Sequence, residues 1–126
     1  MMGELPFSFA EAGAPKRAIV HAPIPANITR KSTLLVSIAT QLQFPDYFGE
    51  NWDAFDECLR DLSWLPAGQV ILDHADLPLT DDAANVKIYV NILADAARKM
   101  SGADPHPLLI VFPIEFRDQV SRLLRL

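Results

Sequence analysis

Three short apolar runs, separated by longer stretches with helical spacing, constrain the fold of this chain more than any other feature. They read RAIV (residues 17–20), QVILD (residues 69–73) and LLIVF (residues 108–112). Because these runs do not alternate polar and apolar residues, each is typical of a strand covered on both faces, usually in a parallel sheet. Parallel strands need long crossover connections, and the stretches between the runs can form helices. The sequence therefore predicts an α/β domain with a small three-stranded parallel sheet packed with three to four helices.

The stretches around these runs carry apolar residues at helical spacing and begin at residues that can cap a helix. Ser32 predicts the start of a first helix that ends near Gln43. Thr80 or Asp81 predicts the start of a long third helix, and a short fourth helix is expected near the end of the chain. The prolines of APIPANI (residues 22–28) predict a loop rather than a strand.

The length of 126 residues and the apolar content of 50% are typical of one folded domain with one core. We predict this domain over residues 16–126, preceded by an irregular extension over residues 1–15. The lone cysteine, Cys58, excludes a disulfide framework and is typical of a reducing compartment. The first residues have acids before their first base, unlike a signal peptide, and no run approaches the roughly twenty apolar residues of a membrane span. A cytoplasmic protein without a membrane partner is therefore expected.

The excess negative charge of the chain is concentrated in one short segment. Residues 44–62 read FPDYFGENWDAFDECLRDL and hold six acids against one base, a net charge of −5, which is also the net charge of the whole chain. The remaining residues are balanced, with ten acids against ten bases. Acidic balance disfavours nucleic acid as a direct ligand, because phosphates repel an acidic surface. It favours a basic partner or simply solubility.

This acidic segment predicts a second helix that begins after Gly49 with Asn51 as its N-cap. Its apolar residues have the spacing of a single buried stripe: Phe55, Cys58, Leu59 and Leu62. At about 100° per residue, Asp53, Asp56 and Glu57 point away from that stripe. We therefore expect these three carboxylates to be exposed together on one face of the helix.

Three interpretations of this acidic face remain open on pattern alone. It can be a solvated face, in which Asp56 and Arg60 form an ordinary i, i+4 pair. It can be a Mg²⁺ or Ca²⁺ site built from Asp53, Asp56 and Glu57, although such sites usually draw ligands from several elements. It can also be a recognition surface, because clustered carboxylates resemble a phosphate chain and would fit a basic nuclease cleft. General acid–base catalysis is disfavoured, since no His or Lys lies nearby in the sequence.

The segment FPDYFGENWDAFDECL (residues 44–59) resembles the core of the barstar family, the intracellular inhibitors of the secreted ribonuclease barnase. The string Pro-acid-Tyr-aromatic-Gly-Glu-Asn-x-Asp-Ala is long and gapless, and a weaker likeness extends from about residue 16 to residue 112, with the three apolar runs in the family's order. The resemblance implies an inhibitor without catalytic activity, cofactor or metal. Its partner would be a basic, secreted, guanyl-specific microbial ribonuclease, blocked at its active site by the acidic helix and the preceding loop.

The resemblance also implies a partner-binding surface, residue by residue. Tyr47 would be the aromatic contact, Gly49 would serve the turn of the binding loop, and Asp53 would be the first inhibitory carboxylate. Glu57 stands where the family has its principal aspartate, and its side chain is one methylene longer than that aspartate. Asp56 stands where the family has a contact tryptophan. The complete surface comprises Tyr47, Phe48, Gly49, Glu50, Asn51, Asp53, Asp56, Glu57 and Asp95.

The other residues with reactive side chains favour structural roles. Cys58 lies on the apolar stripe, where a buried thiol is expected rather than a nucleophile. His21, His74 and His106 have no metal-ligand spacing, and the chain has no glycine motif for phosphate binding. Two alternatives to a ribonuclease inhibitor stay open at this point. One is an immunity or regulatory module for a different basic toxin, and the other is a divalent-metal hydrolase that uses the carboxylates of the acidic helix.

Overall fold

A four-stranded parallel sheet forms the centre of the computed structural model, which describes residues 5–10, 18–45 and 49–124. The strands are β1 (Ser8–Ala10), β2 (Val20–Ile24), β3 (Val70–His74) and β4 (Leu108–Pro113), in the spatial order β1-β4-β3-β2. The helices are α1 (Lys31–Gln41), α2 (Trp52–Asp61), α3 (Ala83–Lys99) and α4 (Arg117–Leu123), and a 3₁₀ turn (Ile114–Phe116) precedes α4. The predicted α/β class with a parallel sheet and helical connections is confirmed.

The sheet has four strands rather than the predicted three, because β1 lies within the segment expected to be irregular. It pairs with β4 in parallel, with Ser8 opposite Val111. Aromatic packing holds it there, since the rings of Phe7 and Phe9 lie 5.3 and 6.4 Å from the ring of Phe112. A strand of three residues is too short to produce a recognisable periodicity, so β1 could not be predicted from the sequence.

The second strand begins at Val20, the last residue of the predicted RAIV strand, and covers residues 22–24 of the segment that its prolines predicted to be a loop. The loop prediction is wrong for these three residues, whereas residues 25–28 lie outside the strand. The carbonyl of Ile24 accepts a hydrogen bond from the Ala75 amide of the loop after β3, so the neighbouring residue, Pro23, faces the open edge of the sheet. Proline is tolerated at an edge because no partner strand needs its missing N–H. The Gln41 side chain donates to the Pro23 carbonyl at 2.9 Å, which satisfies that acceptor.

The helix boundaries agree with the sequence in part. Asn51 caps α2 as predicted. Ser32 is not a cap, because α1 begins at Lys31 and Arg30 precedes it without a side-chain cap bond. In α3 the cap is Asp82, later than either predicted residue.

The core lies between the sheet and the helices. Its largest fully buried side chains include Tyr89, Phe55 and Phe112. The apolar stripe of α2 is buried as predicted, with Phe55, Cys58, Leu59 and Leu62 all at most 4% exposed. Among the described residues, no helix has the length and apolarity to cross a membrane.

Candidate functional site

The start of α2 is fixed by its own sequence. The Asn51 side-chain oxygen accepts a hydrogen bond from the Ala54 amide at 2.8 Å, which satisfies one of the unpaired N–H groups of the first turn. Asp53 lies in that turn, where the helix dipole favours a negative charge. At the other end, Leu62 adopts a left-handed conformation (φ 53°) while its side chain is fully buried, so the helix ends where the core anchors it. The acidic helix is therefore held rigidly at both ends.

Trp52 ties the first turn of α2 to the start of α3. Its indole N–H donates to the Asn85 side-chain oxygen at 2.8 Å, and the Asn85 amide group donates to Asp82 at 2.7 Å. Hydrogen bonds from the Asn85 side chain and backbone hold the pKa of Asp82 below its usual value. The Trp52 ring lies 6.1 Å from Tyr89, and the Lys31 ammonium lies 5.6 Å from the ring centre. This link was not predicted from the sequence, although a half-buried indole N–H usually needs an acceptor.

Asp53 and Glu57 have exposed side chains on the outer face of α2. Within residues 5–10, 18–45 and 49–124, neither carboxylate forms a hydrogen bond or an ion pair. The two side chains are one helical turn apart and project to the same side of the helix. They therefore form a fixed pair of negative charges that is available to another molecule.

The other three acids predicted for the site differ in whether an arginine lies beside them. Asp56 accepts two hydrogen bonds from Arg60, at 2.9 and 3.1 Å. Asp95 is exposed on α3, the helix that packs against α2, and lies 3.8 Å from Arg98. Glu50 is exposed and has a left-handed backbone (φ 53°). Two of these three acids thus have an arginine of their own helix as a neighbour.

The loop before α2 is described only in part. Gly49 is exposed, and a Cβ placed on it would lie 3.0 Å from the Asn51 side-chain nitrogen. The positive φ of this part of the loop falls on Glu50, one residue after the glycine expected to provide the turn. Tyr47 and Phe48, the predicted aromatic contacts, lie outside the described residues.

Cys58 is buried on the inner face of α2. Burial, together with the nearby charges of Glu57 and Asp61, raises the pKa of its thiol. A protonated, buried thiol is a poor nucleophile, and the structural role predicted for Cys58 is consistent with this environment.

The histidines are engaged in structural hydrogen bonds. His74 is buried between β4 and α3, where its Nδ1–H donates to the Val111 carbonyl at 2.9 Å and its Nε2 accepts from the Tyr89 hydroxyl at 2.6 Å. Desolvation lowers the pKa of His74 to about 4, so the ring is neutral at pH 7. His21 lies 3.1 Å from Asp73, and His106 bonds the Leu65 carbonyl at 3.0 Å.

The described residues contain no group of three or more His, Cys, Asp and Glu side chains that could hold a metal ion. Asp53, Asp56 and Glu57 lie on one helix and do not converge with ligands from a second element. An open groove of about 560 Å³ lies at the carboxyl ends of the strands, and its lining includes Asp73 and His74. Both of these side chains already have hydrogen-bond partners within the protein.

Comparison with protein families gives a match over most of the chain. The family model described as Barstar (barnase inhibitor) matches residues 24–113, from the last residue of β2 to the end of β4, and this range includes all of α1, α2 and α3. No curated protein and no solved structure matches the chain.

Proposed function

The chain belongs to the barstar family, and from this premise we propose that it inhibits a basic ribonuclease by placing α2 and the preceding loop in the enzyme's active site. Membership in this family implies in general an inhibitor of a barnase-type ribonuclease, and hence a ribonuclease partner and not an enzyme. What we propose beyond this is which ribonuclease is the partner and which residues bind it.

One observation carries the proposal: Asp53 and Glu57 are exposed on a helix whose opposite face is fully buried, and among the described residues nothing pairs with them. The buried stripe beneath them fixes the backbone of α2, so the points from which these two side chains project are set before a partner binds.

In the proposed complex, Asp53 and Glu57 oppose the cations that bind substrate phosphates. Tyr47 and Phe48 pack against substrate-binding residues beside them, since aromatic anchors and desolvated charges dominate such interfaces. The same negative field would speed association with a basic enzyme. The full surface we propose comprises Tyr47, Phe48, Gly49, Glu50, Asn51, Asp53, Asp56, Glu57 and Asp95.

The partner we propose is a secreted, guanyl-specific microbial ribonuclease, met by the inhibitor inside the cell that makes both. An inhibitor in the cytoplasm would protect the cell's own RNA before the enzyme is exported. The single buried thiol is compatible with a reducing compartment.

The proposal is tested by calorimetry with a guanyl-specific microbial ribonuclease. We expect Asp53→Ala and Glu57→Ala each to weaken binding by about 1 to 4 kcal/mol, a range typical of interface hot spots, for which this family's own complex is a standard example. Glu57→Asp tests whether the additional methylene of Glu57 matters, because it restores the shorter side chain that the family resemblance implies.

Asp118→Ala is the matched control, because Asp118 is an exposed acid on α4, outside the proposed surface. It should leave the affinity unchanged. Unchanged affinity in both the Asp53→Ala and the Glu57→Ala variant would refute the assigned surface. Binding of the wild-type chain to a different basic toxin, with no affinity for the ribonuclease, would replace the proposed partner.

A further inference from the structure

A positive charge lies within the acidic face of α2. At about 100° per residue, Arg60 points within about 20° of Asp53 and about 60° of Glu57. Its side chain is 40% exposed. A guanidinium that was free at this place would weaken the negative field of the face, and it would approach the cations of a basic partner.

The Arg60 guanidinium is held away from Glu57 by two hydrogen bonds to Asp56. Its Nε–H donates to one carboxylate oxygen at 2.9 Å and its Nη2–H donates to the other at 3.1 Å. The two bonds fix the plane of the guanidinium as well as its distance. Asp56 lies about 100° from Glu57 in projection around the helix, so the two bonds draw the guanidinium toward the Asp56 side of the acidic face.

Glu57 is the alternative partner of Arg60. The two residues are three positions apart, a spacing at which side chains of opposite charge meet on a helix. The observed pair instead has the acid four positions before the base, which is the more favourable order along the helix dipole. Loss of the Asp56 carboxylate would leave Glu57 as the nearest acid for the guanidinium.

We propose that Asp56 is a positioning residue that holds Arg60 away from Glu57, and thereby keeps Glu57 unpaired beside Asp53 on the binding face. This inference rests on the proposed function. It refines the proposed surface, because Asp56 then acts within that surface through Arg60 and not by a direct contact with the partner. The face then presents two unpaired carboxylates and an arginine whose charge is already neutralised.

The first experiment needs no partner. NMR follows the side-chain carboxyl carbon of Glu57 in the wild type, Arg60→Ala, Asp56→Ala and the double variant, with circular dichroism to verify the fold. We expect Arg60→Ala to shift the Glu57 signal more strongly in the Asp56→Ala background than in the wild type. The conservative variant Asp56→Glu should behave as the wild type, because it keeps a carboxylate for Arg60. Equal responses of Glu57 in both backgrounds would overturn the inference.

The second experiment measures the affinity of the same variants for the ribonuclease. Asp56→Ala should weaken binding by up to about fivefold, the size expected for one exposed ion pair between Arg60 and Glu57 that replaces the pair with Asp56. Addition of Arg60→Ala should restore the wild-type affinity, and Arg60→Ala alone should leave it unchanged or tighter. A double variant as weak as Asp56→Ala would mean that Asp56 contacts the partner directly and would overturn the inference.

The affinity series also includes Asp53→Ala, which tests the proposed function and does not depend on the role of Asp56. If neither the wild type nor any variant binds the ribonuclease, the proposed function fails, and the NMR series still decides whether Asp56 controls Arg60.

Discussion

The polar side chains around the carboxyl end of β3 and those on the outer face of α2 are of the same chemical types, but they are used in opposite ways. At the carboxyl end of β3, Asp73 pairs with His21, and His74 bonds Tyr89 and Val111; beyond the strand, Asp82 caps α3. On α2, Asp53 and Glu57 are exposed and, as far as the chain is described, bind nothing.

This difference shows what the acidic residues of one small protein can do. A carboxylate that caps a helix or pairs with histidine contributes to the stability of the fold, and its removal leaves a partner unsatisfied. A carboxylate exposed on a rigid helix contributes little to stability and remains available for recognition. If this difference holds, substitutions around the carboxyl end of β3 change the stability of the fold. Substitutions of Asp53 and Glu57 change binding and have little effect on stability.

The largest expected effect is a loss of stability in acid, and it comes from His74 at the carboxyl end of β3. The pKa of His74 is 6.5 in an exposed site and about 4 in the fold, because burial disfavours the charged ring. The unfolded chain therefore binds more protons between these values, and the free energy of unfolding falls as the pH is lowered. The full stability is present above about pH 6.5, and on the order of 3 kcal/mol is lost as the pH falls through about 4.

Urea denaturation at pH 7, 5.5 and 4.5 measures this dependence, and NMR of the His74 ring identifies the group that titrates. An Asp53→Ala, Glu57→Ala double variant is the control and should show the same pH dependence. A free energy of unfolding that is equal at pH 7 and pH 4.5 would contradict the prediction.

A smaller effect is expected when the hydrogen bond from Tyr89 to His74 is removed. Tyr89→Phe keeps the ring that packs against Phe55 and Trp52, but it leaves the Nε2 atom of His74 buried without a donor. We expect the free energy of unfolding to fall by about 1 to 3 kcal/mol, the cost of one unsatisfied buried polar group. Urea denaturation at pH 7 measures it, and a change below about 0.5 kcal/mol would show that the bond contributes little.

The smallest effects are expected on α2, where the cap and the exposed acids can be compared directly. Asn51→Ala removes the bond to the Ala54 amide and should cost about 1 kcal/mol of stability. Glu57→Ala should change it by less than about 0.5 kcal/mol. Asp53→Ala removes one favourable charge from the first turn and should still cost less than Asn51→Ala. Thermal unfolding of the three variants tests this order. A loss in Asp53→Ala or Glu57→Ala as large as that in Asn51→Ala would remove the distinction between the two regions.

The sequence predicted α2 best because several local signals agree there. Asn51 has a side chain that can cap, the apolar residues repeat with the helical period, and Asp53 suits the first turn. The predicted α/β class is also confirmed, since apolar runs without alternation required a sheet covered by other elements. The family resemblance seen in residues 44–59 is confirmed by the family match over residues 24–113.

The predictions from the sequence fail where a contact between residues far apart in the chain decides the local structure. β1 exists because Phe7 and Phe9 pack against Phe112, more than a hundred residues away along the chain. Pro23 is part of a strand because β2 lies at the edge of the sheet, which no property of the proline itself could show. The hydrogen bond between Trp52 and Asn85 joins residues 33 positions apart and was missed for the same reason.

The candidate site was predictable in its position and only partly in its electrostatics. The helical period places Asp53, Asp56 and Glu57 on one face, and the structure keeps them there. Which of the three carboxylates is already engaged depends on side-chain geometry. The helical spacing allows Arg60 to reach either Asp56 or Glu57, and the fold selects Asp56.

By itself, the sequence determined the class of the fold, the buried and exposed faces of α2 and the concentration of negative charge on that helix. These follow from periodicity, capping and composition, which act over a few residues. Only the tertiary structure decided which polar groups are consumed by the fold and which remain available, because hydrogen bonds and ion pairs depend on distances of a few ångströms between residues that are far apart in the chain.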